Sequence, residues 1–255
     1  MIHPDAHILY EHATMPVTAM AADYEDRHFI DAHTHRRAQF LYATRGIMMI
    51  ETRQGRWVVP PSRGVWLQAG VEHTVRMRGN VHMRTLFVDP DAAPGLPRDN
   101  CVVSVSPLPR ELILAATEVP LEYSMESRNG RLMRFLLDEL RELPVLPFHI
   151  PWPADRKLDS LCRQIYDFPD ARITAKEWAD KLAMSVRTFH RHFRNETGIT
   201  FAQWRQLARL LRSLERLAEG VSILQVALEH GYASQSAYAA LFKRNFGVPP
   251  SAFYR

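Results

Sequence analysis

Two stretches of the chain carry the same pattern: SVRTFHRHFRNETG at 185–198 and SQSAYAALFKRNFG at 234–247. Each begins with serine, has two aromatic residues four positions apart and ends with glycine. Aromatic side chains at that spacing share one face of a helix, serine caps a helix start, and glycine ends a helix in a left-handed conformation. The sequence therefore predicts the same helical unit twice, 49 residues apart.

A shorter predicted helix precedes each stretch, at 175–183 and 223–229. Thr174 stands three residues before Glu177 and Ser222 three before Gln225, which is the capping-box arrangement of a helix start. Ala179 returns as Ala227 after 48 residues, so the one-residue difference falls in the turn between the helices. Two helices joined by a short turn predict a helix-turn-helix, whose second helix can enter the major groove of DNA.

The charge of the chain is unevenly distributed. Residues 1–143 hold 16 arginines and no lysine against 18 acidic residues, whereas 144–255 hold 16 basic against 10 acidic residues. A basic module indicates a polyanionic partner, most simply nucleic acid, although a solvated basic face would give the same count. Paired helices also occur in proteins that bind no DNA, but two copies joined by a long predicted helix at 201–219 favour DNA binding.

The first half of the chain has the opposite character. Short β-prone runs alternate with turn residues, which predicts a barrel or sandwich; the runs are 39–43, 47–52, 57–59, 64–67, 71–77, 81–88 and 102–105. Helical patterns follow at 109–119 and 126–143. The second has a leucine stripe at 132, 136, 140 and 143 that either forms a dimer interface or packs on its own barrel.

These patterns give an α+β protein in three parts. We expect an all-β first domain at 1–105 and a helical connector at 106–153. The connector would include a candidate dimerisation helix and the Pro-rich linker 144–153. A DNA-binding domain with two helix-turn-helix units would then occupy 154–255. The sequence has no apolar run of membrane-spanning length and no signal-peptide pattern at its start, so we expect a cytoplasmic protein without a membrane partner. Cys101 and Cys162 are expected to be buried thiols.

The last hundred residues resemble the AraC/XylS family of bacterial transcription regulators. The resemblance rests on a long motif that includes Ala179, Leu182, 184–193, 197–198, Trp204, 209–211, Ile223, 226–227, 231–232, Ser234, 242–243, 247–250 and 254–255. It implies that residues 1–105 are a cupin-type sensor domain for a small-molecule or metal effector, that promoter DNA and RNA polymerase are partners, and that the protein acts as an activator or repressor. A homodimer is a further partner that the leucine-striped helix leaves open. The sequence segments 57–61 and 203–206 resemble those of the subgroup that contains nitroimidazole-resistance regulators.

Helical geometry selects the residues that face DNA. With Phe189 and Phe193 turned inward, Arg187, His190 and Arg191 share the outer face of the first recognition helix. Arginine suits the O6 and N7 atoms of guanine, so this face predicts base contacts. Two interpretations remain for a further group, phosphate contact or solvated charge; its members are Arg194, Arg205 and Arg209.

The second unit departs from the family pattern. Its outward positions are Gln235, Ser236, Ala239 and Ala240, and in relatives a basic residue is common where Ala240 stands. Gln235 is able to read adenine and Ala239 to contact a thymine methyl group. We therefore expect the first unit to supply most of the base readout and the second to position the protein on phosphates.

Histidines of the first domain form a second candidate site. The pattern His33-x-His35-x3-Gln39, with His73 after Gly70, resembles the motifs of metal-binding cupins, with Gln39 in place of the usual carboxylate. Residues two apart on a strand point to the same side. Three interpretations stay open: a Zn, Ni, Mn or Fe site formed by His33, His35, Gln39 and His73, a pocket for an organic effector, or a hydrogen-bonded core without ligand.

A cupin enzyme with a helical appendage, for instance a dioxygenase, is the rival from another functional class. Glu51 and Glu72 are near the histidines in sequence, but no pattern places either as an acid–base partner. No nucleophile constellation and no glycine-rich phosphate loop stands out. We therefore expect no enzymatic activity.

Overall fold

The computed structural model describes residues 6–92, 94–146, 149–169 and 173–252. Residues 147–148 of the predicted linker and 254–255 of the family motif lie outside these ranges. The chain forms two compact units, one of residues 1–50 and 59–148 and one of residues 51–58 and 149–255. The helical segment predicted as a connector thus belongs largely to the first unit, and the second unit includes eight residues from the β-rich half.

The predicted β-rich region forms two antiparallel sheets. The first has the strand order β1 (Val17–Tyr24), β8 (Val81–Val88), β3 (Ala38–Ala43), β6 (Arg63–Leu67), β9 (Cys101–Ser104) and β10 (Val145–Leu146). The second has the order β11 (His149–Pro151), β5 (Gly55–Val59), β4 (Ile47–Thr52), β7 (His73–Arg78) and β2 (Phe29–His33). Strands β1 and β2 both precede the first predicted run at 39–43, and β7 begins at His73 rather than at residue 71.

Side chains alternate across the six-stranded sheet. Phe40, Tyr42 and Leu86 lie on the face that packs against α2 (Pro107–Ala116) and α3 (Arg128–Arg141). Gln39 and Leu41 alternate with them and therefore point to the other face. That face also carries Phe87 and Thr85, the register partners of Gln39 and Leu41 in strand β8. All of these side chains are buried.

The leucine stripe packs within its own unit. Met133, Leu136, Leu137 and Leu140 of α3 are at most 6% exposed and belong to the core beneath the six-stranded sheet. Each buried leucine contributes about 1.5–3 kcal/mol relative to an exposed one. Of the four leucines of the predicted stripe, Leu136 and Leu140 are buried in this core, and Leu132 and Leu143 are half-buried against it. The stripe thus packs on its own barrel.

The second unit is helical apart from β11 and the inserted hairpin residues. It contains α4 (Arg156–Asp167), α5 (Ala175–Lys181), α6 (Val186–Thr197), α7 (Phe201–Ala218), α8 (Ile223–Glu229) and α9 (Gln235–Phe246). The predicted capping box of Thr174 and Glu177 is present, and α7 begins with a second one, formed by Thr200 and Gln203. Ser222 caps α8 by accepting from the backbone N–H of Gln225, so one half of the predicted capping box is present. The Gln225 side chain donates to Glu229.

Two further expectations concern the cysteines and the membrane. Cys162 is buried and Cys101 partly buried, and both are free thiols. Across the described ranges, the helices lack the combination of length and apolar character that crossing a bilayer requires.

Candidate nucleic-acid interface and effector-domain histidines

The first helix-turn-helix consists of α5 and α6. Its turn is closed by a hydrogen bond of 3.0 Å from the backbone N–H of Met184 to the carbonyl of Ala179. Ser185 caps α6 by accepting from the N–H of Thr188 at 3.1 Å, and Gly198 ends the helix with φ of 75°. These contacts fix where α6 starts and stops, and therefore which of its residues face outward.

Aromatic packing sets the rotation of α6. Phe189 and Phe193 are buried and lie edge-on against Phe201 of α7, with ring centroids 5.2 and 5.4 Å apart. With this face buried, the opposite face of the helix is exposed. The exposed residues are Arg187, His190, Arg191 and Arg194. The structure therefore places the three predicted base-reading residues together on one solvent-facing surface, with Arg194 one turn further along.

The remaining two predicted phosphate contacts have structural partners. The guanidinium of Arg205 donates to the carbonyl of Ile173 at 3.1 Å, and that of Arg209 donates to the carbonyl of Pro169 at 2.7 Å. Both are half-buried on α7. They attach the segment between α4 and α5 to α7, a role that neither of the two sequence interpretations included.

The second helix-turn-helix, α8 and α9, repeats the scaffold of the first. The N–H of Tyr232 donates to the carbonyl of Ala227 at 2.9 Å, in the position of the bond from Met184 to Ala179. Ser234 caps α9 through the N–H of Ala237, and Gly247 ends it with φ of 79°. Tyr238 is fully buried, and its hydroxyl lies 2.8 Å from that of Ser213 on α7.

The outer surface of α9 differs from that of α6. Gln235, Ser236 and Ala240 are exposed, and Ala239 is half-buried. Positive charge appears only toward the end of the helix, at the exposed Lys243 and Arg244. The residues predicted for the second unit thus face outward, but the cations lie about two turns from the helix start, where the contact to bases would be made.

Residues 51–58 of the β4–β5 hairpin form an aromatic and ionic cluster within the second unit. The guanidinium carbon of Arg56 lies 3.9 Å from the ring centroid of Trp152. Arg56 also contacts the carboxylate of Glu51 at 3.1 Å. The Trp152 indole donates to Asp159 of α4 at 2.6 Å. Sequence reasoning missed this cluster because its members lie about a hundred residues apart and form no local pattern.

In the first unit, three of the four predicted metal ligands come together. The candidate ligating nitrogens of His33, His35 and His73 all lie within 4.8 Å of one another. His33 ends β2 directly opposite His73, the first residue of β7. His35 follows β2 and packs edge-on against Phe87, with ring centroids 5.2 Å apart.

Burial determines the electrostatics of this cluster. His35 and His73 are 5% and 2% exposed, and His33 is half-buried. Burial lowers the pKa of His73 from 6.5 to about 3, and the neighbouring His33 and His35 act in the same direction. The imidazole of His73 is therefore neutral at physiological pH. Gln39 is buried on the face that carries Phe87, and its side-chain oxygen has no hydrogen-bond partner in the described residues.

Comparisons with known proteins match both units. An AraC-like ligand binding domain covers residues 15–110, and a helix-turn-helix domain covers 178–255. The chain is 33% identical to the HTH-type transcriptional regulator NimR of Escherichia coli K12 over 87% of this chain and 81% of the relative. The chain belongs to the AraC family of transcription regulators. The predicted subgroup is confirmed by the same match.

Two solved structures are also similar. ToxT from Vibrio cholerae, with an unsaturated fatty acid bound, is 10% identical with a TM-score of 0.39, over 95% of this chain and 96% of that one. The DNA-binding domain of AdpA, in complex with a target DNA, is 29% identical with a TM-score of 0.36, over 39% of this chain and 91% of that one.

The two family-model matches and the NimR match confirm the predicted function class, and the strands and helices described above confirm the predicted α+β fold class. The chain is an AraC-family transcriptional regulator with a ligand-binding N-terminal domain and a DNA-binding helix-turn-helix domain. Two residues depart from the patterns that the sequence resembles. Gln39 stands where metal-binding cupins have a carboxylate, and Ala240 stands on α9 where a basic residue is common in relatives.

Proposed function

We propose that this AraC-family regulator binds double-stranded promoter DNA with both helix-turn-helix units and reads base sequence mainly with α6. The observation that supports this is the comparison of equivalent positions. Arg187, His190 and Arg191 of α6 correspond, 49 residues later, to Ser236, Ala239 and Ala240 of α9. All three positions on α6 therefore have side chains that can hydrogen-bond to base edges, whereas α9 has one short hydroxyl.

The second unit would position the protein on the DNA backbone. Lys243 and Arg244 are exposed near the end of α9 and are suited to phosphate contacts that carry no base information. Gln235 and Ser236 would add limited readout at the start of the helix. Arg194, which corresponds to Lys243, is assigned the same phosphate role in the first unit. For Arg205 and Arg209, the backbone contacts described above favour a structural role over phosphate binding.

The first unit would act as the effector domain. Residues 51–58 belong to the second unit although both flanking segments belong to the first. A displacement of strand β4 or β5 would therefore be transmitted to the DNA-binding unit along the covalent chain. The contacts of Arg56 with Trp152 and of the Trp152 indole with Asp159 would carry that change to α4. Coupling requires that the effector binds one arrangement better than the other.

The remaining partners follow from the family. We propose cytoplasmic action, contact with RNA polymerase, and a homodimer that does not use the buried leucines of α3. Enzymatic activity is not part of the proposal. Reproducible substrate turnover that is abolished by His33→Ala would instead favour the cupin-enzyme alternative.

Mapping the sites that the protein occupies across its genome supplies the promoter fragments for the test. Fluorescence anisotropy at several salt concentrations then compares these fragments with scrambled DNA. We expect specific fragments to bind more tightly, and the combined Arg187→Ala and Arg191→Ala variant to lose most of that preference while keeping salt-dependent binding. Affinity that is independent of sequence in the wild type, or a preference that is undiminished in the variant, would contradict the proposal.

A further inference from the structure

We propose that His33, His35 and His73 bind one divalent transition-metal ion, and that Glu11 of the N-terminal helix α1 (Ala6–Glu11) is the residue that orients His35 for it. The metal site itself is independent of DNA binding. Its use as a signal rests on the proposed function. Four features of the cluster support the inference: the orientation of the rings, the distances between them, the buried Nε2 atom of His73 and the position of Glu11.

All three rings are oriented by the same kind of contact. The Nδ1 atom of His33 lies 2.7 Å from the carbonyl oxygen of Asp31, and that of His73 lies 3.0 Å from the carbonyl oxygen of Val71. The Nδ1 atom of His35 contacts the carboxylate of Glu11. These oxygens only accept, so each Nδ1 carries the proton and donates, and each Nε2 presents its lone pair. Histidine ligands of metal ions are held in the same way.

The rings are also close together. Their centroids are 4.8 Å apart for His33 and His35, 4.3 Å for His33 and His73, and 5.3 Å for His35 and His73. With the protons on Nδ1, three ligand lone pairs converge in one small volume. A cation that accepts all three makes this arrangement favourable, because zinc binds imidazole nitrogens at about 2.0–2.1 Å and commonly uses three of them.

The Nε2 atom of His73 gives the clearest sign of a missing partner. This atom is buried, and no described residue forms a hydrogen bond with it. Leaving a buried polar atom without a partner is unfavourable. A core that was merely hydrogen-bonded would satisfy this atom, whereas a metal ion within reach of His33 and His35 would use it as a ligand.

Glu11 supplies the charge that Gln39 does not. The Glu11 side chain is 8% exposed and the His35 side chain 4%, so their contact is shielded from water. The second Glu11 oxygen accepts from the backbone N–H of Arg36 at 3.3 Å. A carboxylate behind a histidine ligand raises the basicity of the imidazole and offsets part of the charge of the cation.

The segment that carries Glu11 is fixed to the same part of the unit. The carbonyl of Tyr10 accepts from the Thr18 hydroxyl at 2.9 Å, and the guanidinium of Arg37 donates to the carbonyl of Met15 at 2.8 Å. The end of α1 is therefore anchored on both sides of Glu11, which holds the carboxylate against His35. We assign Glu11 as a positioning residue, so a metal ion at the cluster would favour the docked form of α1.

Ligand chemistry narrows the choice of ion. Three imidazole ligands favour late first-row ions over Mg²⁺ and Ca²⁺, which prefer oxygen ligands. Zn²⁺ is a suitable probe for affinity. Co²⁺ is a suitable probe for coordination, because its visible absorption reports the ligands and geometry directly.

The test uses the full chain, freed of metal with a chelator, and titrates it with Co²⁺ and with Zn²⁺. We expect one ion per chain, a Co²⁺ absorption band, and a thermal midpoint that rises with Zn²⁺. His33→Ala should abolish the band, and Glu11→Gln should weaken binding about 10–100-fold while the band remains. The matched controls are His28→Ala and Glu25→Gln, both exposed residues near the start of β2, and should bind like the wild type.

Each other outcome would overturn a defined part of the inference. A wild-type chain without stoichiometric binding, or equal losses in His33→Ala and His28→Ala, would overturn the metal site. Wild-type affinity in Glu11→Gln would overturn the role of Glu11. Because His33 is half-buried, circular dichroism must show that His33→Ala is folded, and otherwise His33→Gln replaces it. Specific DNA binding by metal-free and loaded protein is measured separately, so failure of the metal site leaves the DNA-binding proposal intact.

Discussion

The two helix-turn-helix units share a scaffold but not a surface. In both, a serine caps the second helix, two buried aromatic residues lie four positions apart and a left-handed glycine ends the helix. On the outside, Arg187, His190 and Arg191 of the first unit are replaced by Ser236, Ala239 and Ala240. The comparison separates the residues that a stable unit needs from those that determine what the unit reads.

The physical reason lies in the different free-energy cost of replacing a buried and an exposed side chain. Replacing a buried aromatic residue in either unit opens a cavity, whereas replacing an exposed arginine leaves the fold almost unchanged. The outer positions are therefore free to differ between copies. This makes a division of roles possible, with base readout on one helix and attachment to the DNA backbone on the other.

The largest expected effect tests the shared scaffold. Phe193→Ala and Phe242→Ala each remove a buried ring, and each should lower the free energy of unfolding by about 3–5 kcal/mol. Calorimetry or denaturant titration measures the loss. Phe168→Ala in the same unit removes a ring that is 63% exposed and should change it by less than about 0.5 kcal/mol. A small loss in one of the two buried variants would mean that the units are not equivalent.

The next effect tests the difference between the outer surfaces. Arg187→Ser places the residue of the second unit on the first, and should weaken specific DNA binding by about 1–3 kcal/mol. The discrimination should relax at one base position. The matched change Ser236→Ala should have a smaller effect, measured by anisotropy on the same DNA. If Ser236→Ala were the more damaging of the two, the second unit would be the principal reader.

The helix caps should behave alike. Ser185→Ala and Ser234→Ala each remove a hydroxyl that accepts a backbone N–H at 3.1 Å, and each should destabilise the unit by about 1 kcal/mol. Ser236→Ala serves as the control, because Ser236 is the second residue of α9 and Ser234 is the residue that caps the helix. Denaturant midpoints give the comparison, and a loss in the control as large as in the caps would argue against the capping role.

The smallest expected effect concerns two positively charged residues at equivalent positions in the two units. Arg194 and Lys243 are equivalent and both are exposed. Arg194→Ala and Lys243→Ala should each reduce the slope of log affinity against log salt by about one, equally for specific and scrambled DNA. A loss confined to one DNA sequence would show a base contact instead of a phosphate contact.

Local patterns predicted the repeat well. The caps, the inward aromatics and the glycine ends are each determined within one or two helical turns, so their positions in α6 and α9 followed from sequence spacing. The three histidines were expected together for a reason that holds only in part. His33 ends β2 opposite His73, as strand pairing requires, whereas His35 lies after the strand has ended, so strand alternation does not account for its position.

Contacts between distant residues could not be predicted in this way. Glu11 contacts His35 across 24 residues, Arg209 contacts the carbonyl of Pro169 across 40, and Arg56 contacts Trp152. None of these pairs has a periodic spacing that sequence reasoning can use. The placement of residues 51–58 in the second unit has the same origin, since it depends on packing and not on a pattern along the chain.

Selection of bound duplexes from a random DNA library tests the assignment of base readout to α6 most directly. We expect the wild type to enrich one motif with strong preference in the part read by α6 and weak preference in the part next to α9. The Arg187→Ala and Arg191→Ala double variant should keep only the weak part. Enrichment of no motif by the wild type, or an unchanged motif in the double variant, would contradict the account.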